Sequence, residues 1–162
     1  MKTKQLMLMA MFVAIAVAGS TFVWFPAGVA RAYPIQHAIN VMAAVLFGPV
    51  PAVLIAFLTG AVRVLTGTGS LLAFPGGMIG AFLAGILYMV SGRLWLAAVG
   101  EIIGTGIIAS LIAVPYARIL MGTEAAALFF MPAFLVSSVS GAFIGVLLMS
   151  KIMKVKTNHV LF

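Results

Sequence analysis

Charged residues are so scarce in this chain that their number limits the kinds of fold it can form. Only eleven of the 162 residues are charged, nine of them basic and two acidic, whereas 65% of the residues are hydrophobic. The mean hydropathy is +1.31. A soluble protein of this size needs a charged shell around its core, and eleven charged side chains cannot form one. The sequence therefore predicts an integral membrane protein whose outer solvent is lipid.

Six apolar segments follow one another along the chain, separated by short stretches that contain proline, glycine or polar residues. A membrane-spanning helix needs about 20 apolar residues, and about 17 to 25 are tolerated. We predict helices over residues 6–23, 35–47, 50–65, 75–90, 94–120 and 126–149. The expected fold is all-α, with a single integral membrane domain over residues 1–162 that forms one bundle of six transmembrane helices.

The positions of the charged residues indicate how this bundle is oriented. Six spans place both termini on one side, and cytoplasmic loops are enriched in Lys and Arg. With the termini inside, the cytoplasmic face carries Lys2, Lys4, Arg93, Lys151, Lys154 and Lys156. The opposite face carries Arg31, Arg118 and Glu124, with Arg63 just beneath it. We therefore predict cytoplasmic termini in a bacterial or archaeal plasma membrane. We expect no nucleic-acid partner, because a basic groove with interleaved aromatic residues is missing.

The sequence contains none of the motifs typical of an enzyme, an ATPase or a metal site. It has no phosphate-binding loop ending in Gly-Lys-Ser/Thr, no His-Glu-x-x-His helix and no pair of neighbouring carboxylates. It has no cysteine, which excludes disulfides and thiolate metal sites. Gly67-Thr68-Gly69 lacks the lysine that follows in a phosphate loop, and we interpret it as a flexible outer loop. We expect no catalytic residues, no cofactor and no metal.

Three polar residues open the second predicted helix. Gln36, His37 and Asn40 are spaced three and four residues apart, so they share one helical face. They either solvate the end of a helix, where N–H groups lack partners, or form the wall of a pocket for a small polar ligand. We favour the pocket, because three amide or imidazole side chains exceed what a helix end requires.

Two ionisable residues and a group of serines lie within the predicted spans. Arg63 and Glu101 are candidate functional residues, since an ionisable group at membrane depth costs a few kcal/mol. They either form a structural ion pair or face a ligand cavity, and their depths differ by roughly 10 Å at a rise of 1.5 Å per residue. Ser137, Ser138 and Ser140 are expected to bond mainly to preceding carbonyls, which leaves one of them free to face a pocket.

Small residues recur every four positions in several predicted helices, a pattern that lets helix backbones approach closely in lipid. The stripes are Ala10/Ala14/Ala18, Gly77/Ala81/Gly85, Gly100/Gly104 and Gly141/Gly145. In the later helices this pattern indicates internal packing. The alanine stripe of the first helix equally fits an outward face for a partner helix.

A longer pattern begins at the polar stripe of the second helix. Gln36-His37-Ala38-Ile39-Asn40-Val41, followed by Val45-Leu46-Phe47-Gly48-Pro49, resembles a signature of the ThiW proteins. The resemblance continues through Ala56-Phe57, Arg63, Gly67-Thr68-Gly69, Leu72-Ala73-Phe74-Pro75-Gly76, Gly80-Ala81 and Leu83-Ala84-Gly85. It extends over nearly the whole chain and is most specific between Pro34 and Gly85.

ThiW proteins are substrate-binding (S) components of energy-coupling-factor (ECF) vitamin transporters. The resemblance therefore implies six helices, cytoplasmic termini and one small molecule bound near the outer face. It also implies partners, because S components borrow a transmembrane coupling protein and two cytoplasmic ATPases. The family docks through an Ala-x-x-x-Ala stripe on its first helix, matched here by Ala10, Ala14 and Ala18. The ligand associated with ThiW is hydroxyethylthiazole, the thiazole precursor of thiamine.

Hydroxyethylthiazole is uncharged and aromatic, so its site is expected to offer a stacking surface and a few hydrogen bonds, not a charge clamp. The candidate stacking residues are Trp24, Tyr33 and Phe74. The candidate hydrogen-bonding residues are Gln36, His37, Asn40, Thr68 and Ser137, and Arg63 and Glu101 are candidates for the same cavity. Residues 25–34 and 66–74 are expected to form a lid.

Three other functions fit parts of the same pattern. An S component for another vitamin or precursor, such as the pyrimidine half of thiamine, shares every feature of the fold. A membrane assembly protein would use the small-residue stripes for oligomerisation alone and would bind no ligand. An intramembrane enzyme built on Glu101 or His37 lacks a second catalytic group near either residue.

Overall fold

The computed structural model describes residues 3–28, 30–122 and 127–160, which are mainly helical. The first four helices are α1 (Thr3–Phe22), α2 (Pro34–Phe47), α3 (Pro49–Leu65) and α4 (Ala73–Ser91). The next span consists of α5 (Leu94–Glu101), a π-helical segment (Ile102–Ala109) and α6 (Ser110–Met121), and α7 covers Ala127–Val160. Two short strands, β1 (Phe25–Ala27) and β2 (Ala30–Ala32), lie between α1 and α2. Lys2, Glu124, residue 126 and the side chain of Lys156 lie outside the described part of the chain.

Several helices have the length and apolar composition that a membrane-spanning helix requires. Within the described residues, four helical stretches are long and apolar enough to cross a membrane: Thr3–Phe22, Ala73–Ser91, Leu94–Met121 and Phe129–Val155. Two further apolar helices are shorter, since α2 has 14 residues and α3 has 17. The helical fold predicted from the sequence is confirmed. The count of six spans and the cytoplasmic position of both termini stay predictions.

Helix α2 lies at the centre of the bundle. It contacts α1, α3, α4, α5 and α7, and ten of its 14 residues are buried. Gly48, with a φ of +85°, turns the chain sharply after α2, and Pro49 occupies the first position of α3, where a missing N–H costs nothing. The main apolar core surrounds α2 and includes Val41, Ile55 and Ala81.

Glycines allow the helices around α2 to approach one another at backbone distance. A Cβ atom on Gly100 would lie 2.6 Å from the Leu83 carbonyl oxygen of α4, and one on Gly104 would lie 2.8 Å from the Cα of Gly80. Gly145 packs in the same way on α2, where a Cβ atom would lie 2.9 Å from the Ala38 carbonyl oxygen. These contacts confirm that the glycine stripes of the later helices serve internal packing.

A β-hairpin covers one end of the bundle. Its strands pair antiparallel, with Phe25 opposite Ala32 and Pro26 opposite Arg31. The turn contains Gly28, whose φ of +64° suits a residue without a side chain. Buried Ala27 and Ala32 pack against Ala133 of α7. Part of the stretch expected to form a lid, residues 25–34, is therefore a hairpin that packs against the last helix.

We predict that Gly100→Ala destabilises the protein by about 1 to 3 kcal/mol, because the new methyl group collides with the backbone of α4 rather than with a flexible side chain. Thermal unfolding in detergent measures this change. Ala10→Val is the control, since it adds bulk at an exposed position of α1. Equal melting temperatures for Gly100→Ala and the native protein would show that α4 and α5 are not packed as described.

Candidate functional site

A cavity of about 270 Å³ lies at the end of the bundle that carries the β-hairpin. Its wall comes from β2, the first turns of α2 and α4, the end of α3, the loop of residues 66–72 and the first half of α7. Ligand pockets usually measure about 300 to 1,000 Å³, so this one suits a small molecule. Six of the ten candidate residues line it: Tyr33, Gln36, His37, Arg63, Thr68 and Ser137.

The three residues of the polar stripe of α2 do not all reach the cavity, and one of them lies in the core beneath it. Gln36 and His37 line the cavity, whereas Asn40 is one turn deeper and does not. The Asn40 side-chain amide donates to the Gly77 carbonyl oxygen (3.1 Å) and to Oε1 of Glu101 (3.1 Å). Because both of these bonds are internal, Asn40 supports the site from below.

Arg63 is held in a fixed position at the cavity wall, although only 2% of it is exposed. Its guanidinium lies over the ring of Tyr33, 3.9 Å from the ring centroid. One terminal nitrogen donates to Oε1 of Gln36, and the other donates to the Thr68 carbonyl oxygen (3.1 Å). Neither partner is charged. Arg63 and Glu101 do not form an ion pair with each other, which was one of the two alternatives from the sequence.

The loop after α3 wraps around Arg63. The N–H groups of Thr68 and Gly69 both donate to the Arg63 carbonyl oxygen, at 2.9 and 3.0 Å. A Cβ atom on Gly69 would lie 3.0 Å from the Arg63 Cβ, so glycine fits this position best. The Thr68 hydroxyl bonds within the loop, to Thr66 (3.1 Å) and to the Arg63 carbonyl oxygen (3.4 Å). The Gly-Thr-Gly motif therefore fixes the arginine at the cavity wall.

Glu101 lies directly behind His37 and has no exposed surface. Its Oε1 is 2.6 Å from Nδ1 of His37 and 3.1 Å from the hydroxyl of Thr105. The same hydroxyl donates to the Gly76 carbonyl oxygen at 2.7 Å. Oε2 has no hydrogen-bond partner among the described residues. It fits there because Gly80 has no side chain: a Cβ atom on Gly80 would lie 2.7 Å from Oε2.

The bond to Glu101 determines which atom of His37 can serve a ligand. When Glu101 is ionised and His37 is neutral, the Nδ1–H donates to the carboxylate and Nε2 is left as a hydrogen-bond acceptor. His37 lines the cavity, and no described residue bonds to its Nε2. Glu101 itself does not line the cavity. Its part in the site is to orient His37.

Two of the predicted aromatic residues lie outside the cavity wall. Trp24 lies beneath the guanidinium of Arg31, 3.9 Å from ring centroid to Cζ. Phe74 packs against Phe57, with the ring centroids 5.5 Å apart. Neither residue lines the cavity, so the expectation that Trp24 and Phe74 face it has no support in the geometry. The ring of Trp24 contacts Arg31, which is close to it in the chain, and the ring of Phe74 contacts Phe57 of α3.

Helix α7 supplies aromatic residues that sequence analysis missed. Phe130 and Phe134 both line the cavity, and Phe134 lies over Gly76, which leaves room for its ring. Ser137 lies on the same face and accepts a hydrogen bond from the Tyr33 N–H (3.0 Å). Phe130, Phe134 and Ser137 are spaced four and then three residues apart, which places them on one helical face. This spacing can be read from the sequence.

The three serines of α7 have different roles. Ser138 donates to the Leu135 carbonyl oxygen (3.2 Å) and Ser140 to that of Val136 (2.6 Å), as expected of serines in a helix. Ser137 alone of the three lines the cavity. Because its oxygen accepts from Tyr33, its own O–H remains available to a ligand.

We predict that Glu101→Leu destabilises the ligand-free protein by several kcal/mol, because it leaves the buried donors of His37 and Asn40 without an acceptor, at about 1 to 3 kcal/mol each. Glu101→Gln retains one acceptor oxygen, so its effect is expected to be smaller. Thermal unfolding of both variants measures the difference. If the leucine variant is as stable as the glutamine variant, the hydrogen bonds to Glu101 do not hold the site together.

The chain is similar to a known family over almost its full length. A family model described as thiamine-precursor transporter protein (ThiW) matches residues 6–155. No curated protein matches the chain. Together with the helices of membrane-spanning length, the family match identifies a multi-pass membrane protein with a role in transport. This chain belongs to the ThiW family of thiamine-precursor transporter proteins.

Proposed function

We propose that this protein is the substrate-capture (S) component of an ECF-type importer and that it binds hydroxyethylthiazole in the cavity beneath the hairpin. The observation that carries the proposal is this cavity, lined by aromatic and hydrogen-bonding side chains, in a chain of the thiamine-precursor transporter family. A membrane assembly protein would need no such cavity.

The distribution of charge favours an outward-facing cavity. Helix α1 ends at the hairpin beside the cavity, and α4 and α7 both begin at the cavity wall. Their other ends therefore lie at the far side of the bundle, which carries Lys4, Arg93, Lys151 and Lys154. Because Lys and Arg favour the cytoplasmic side, we infer that the cavity faces outward and both termini lie inside.

Six spans are consistent with this arrangement even though α2 and α3 are short. At a rise of 1.5 Å per residue, α2 is about 21 Å long, which is less than the roughly 30 Å of a hydrocarbon core. Helix α2 is surrounded by five other helices and does not need to match the lipid thickness along its whole length. A short central helix also leaves space above it for the cavity.

The lining of the cavity suits an aromatic ring with hydrogen-bonding groups. Tyr33, Phe130 and Phe134 offer aromatic surface. His37 Nε2 is placed to accept a hydrogen bond from a ligand hydroxyl, and the Ser137 hydroxyl is free to donate to a ring nitrogen. Hydroxyethylthiazole has both groups. The pyrimidine half of thiamine is the alternative ligand, since it is also a small aromatic ring with polar substituents.

The energy for import must come from other subunits, because the sequence contains no nucleotide-binding motif. We propose a transmembrane coupling protein and a pair of cytoplasmic ATPases as these partners. The docking surface is the alanine face of α1, formed by Ala10, Ala14 and Ala18, all of which are exposed. The bundle contacts the opposite face of α1, where Ala16 and Ser20 are buried. Small side chains on an exposed helix face allow close approach of a second helix in lipid.

We predict that hydroxyethylthiazole raises the melting temperature of the purified protein, because a ligand at 100 times its Kd stabilises the folded state by about 2.7 kcal/mol. Phe134→Ala should lower the affinity at least tenfold by removing aromatic surface from the cavity. Phe143→Ala, at an exposed position on α7, is the control and should bind normally. If the pyrimidine half of thiamine stabilises the protein and the thiazole does not, the ligand is the pyrimidine. If neither compound stabilises the protein, the proposed function is wrong.

We predict that Ala14→Trp abolishes uptake of the thiazole while leaving its binding to the isolated protein unchanged, because the indole blocks a helix partner without touching the cavity. Uptake is measured in cells that co-express the coupling protein and the ATPases. Leu111→Trp, at an exposed position on α6, is the control and should retain uptake. If the Ala14 variant takes up the thiazole at the native rate, the assignment of α1 as the docking helix is wrong.

A further inference from the structure

Among the residues that the structure describes, the wall of the cavity carries positive charge without a matching negative charge. Arg31 and Arg63 both line it, and no described carboxylate does. The chain contains no aspartate and only two glutamates, and Glu124 lies outside the described residues. Glu101 is therefore the only described carboxylate side chain near the cavity, and its bonded oxygen is already occupied by His37 and Asn40.

Arg63 has no ionic partner among the residues that the structure describes. Its hydrogen bonds go to a side-chain amide and a backbone carbonyl, both of them neutral, and Tyr33 covers one face of the guanidinium. A buried charge is normally paired, because removing it from water is otherwise costly. Inside a membrane protein, an ionisable group without an internal partner is by default a candidate for a functional site.

Arg63 also has donors to spare. A guanidinium has five N–H groups, and the two hydrogen bonds of Arg63 use two of them. Its Nε is buried and has no hydrogen-bond partner among the described residues. A Cβ atom on Gly69, which itself lines the cavity, would lie 3.5 Å from this nitrogen. Arg63 is therefore immobilised by its neighbours, lines the cavity, and has N–H groups without acceptors among the described residues.

Arg31 adds a second positive charge at the rim. It is exposed on β2, and its guanidinium is stacked on Trp24 at 3.9 Å, which restrains the side chain. A carboxylate or phosphate that approaches the cavity meets this charge first and then the buried one. Planar guanidinium groups bind such oxyanions with two parallel hydrogen bonds, a geometry that a neutral alcohol cannot match.

We propose that the cavity contains an oxyanion subsite centred on Arg63, and that its preferred ligand is a thiazole whose side chain ends in a carboxylate or a phosphate monoester. This inference rests on the proposed function, since it assumes that the thiazole ring occupies the aromatic part of the cavity. The acid group takes the place of the hydroxyl of hydroxyethylthiazole. Hydroxyethylthiazole itself then binds as the weaker, neutral analogue.

The test is a calorimetric comparison of three thiazoles on the full-length protein in detergent. The three share the methylthiazole ring and carry an ethanol, an acetate or an ethyl phosphate side chain, and inorganic phosphate and acetate are titrated alone. We expect at least one acid to bind tenfold or more tightly than the alcohol. The comparison of acetate with phosphate identifies which oxyanion the subsite takes. This comparison on the native protein is decisive even if a variant fails to fold.

Arg63→Gln should abolish the advantage of the acids, so that the ratio of acid affinity to alcohol affinity falls to about one. Arg93→Gln removes the same charge from an exposed position at the far end of the bundle and should leave the advantage intact. An alcohol that binds as tightly as both acids overturns the oxyanion subsite but leaves the proposed function standing. Inorganic phosphate or acetate binding as tightly as the corresponding thiazole also overturns the inference, because the subsite would then hold a free anion only.

Discussion

The structure depends on how a lipid-embedded bundle accommodates two buried ionisable side chains that do not pair with each other. Arg63 and Glu101 both lie almost entirely out of solvent, and each bonds to polar side chains of α2 instead. Gln36 accepts from Arg63, while His37 and Asn40 bond to Glu101. Because polar groups in an apolar interior must be satisfied, these bonds fix the positions of α3 and α5 relative to α2. The same bonds place Gln36 and His37 at the cavity.

Close helix packing is the condition for these bonds. The bond from Asn40 to the Gly77 carbonyl oxygen requires that α4 approach α2 at backbone distance, and Gly77 leaves space for the Gln36 amide. On the other side, the π-helical segment brings Thr105 against both Glu101 and the Gly76 carbonyl oxygen. A π-helical turn widens the helix and is common at functional sites. The polar cluster and the glycine contacts therefore stabilise each other.

The sequence predicts the helices and the polar stripe of α2 well, because both depend on local periodicity. It does not separate the exposed alanine face of α1 from the buried glycine contacts, because the stripes share one spacing and only the neighbouring helices show which faces are covered. It does not predict that Asn40 lies below the cavity. That depends on depth along α2, which only the neighbouring helices define. Nor does the sequence predict that Trp24 and Phe74 lie outside the cavity wall, because their contacts with Arg31 and Phe57 depend on the folded structure.

The hairpin and the π-helical segment were beyond sequence reasoning for a different reason. Strands of three residues are too short to show a period of two, and Phe25–Ala27 contains a proline. Residues Ile102–Ala109 have the same apolar composition as an ordinary membrane helix. They pack against α4 and α7, contacts that the composition does not reveal. Phe130 and Phe134 were missed because an aromatic pair in a long apolar helix is not distinctive until its facing partner is known.

The positions of the cavity and of α1 bear on how binding could be communicated to a partner. No residue of α1 lines the cavity, so the proposed docking on the alanine face and the proposed ligand binding use separate surfaces. The helices that carry the two surfaces are nevertheless in close contact. A Cβ atom on Gly19 of α1 would lie 2.9 Å from the Cβ of Ile35, the residue before Gln36. A displacement of α1 at this point acts on the first turn of α2, where the cavity wall begins. Because cores are close-packed and transmit strain, a displacement of α1 on the proposed docking would reach the proposed ligand site through this one helix crossing.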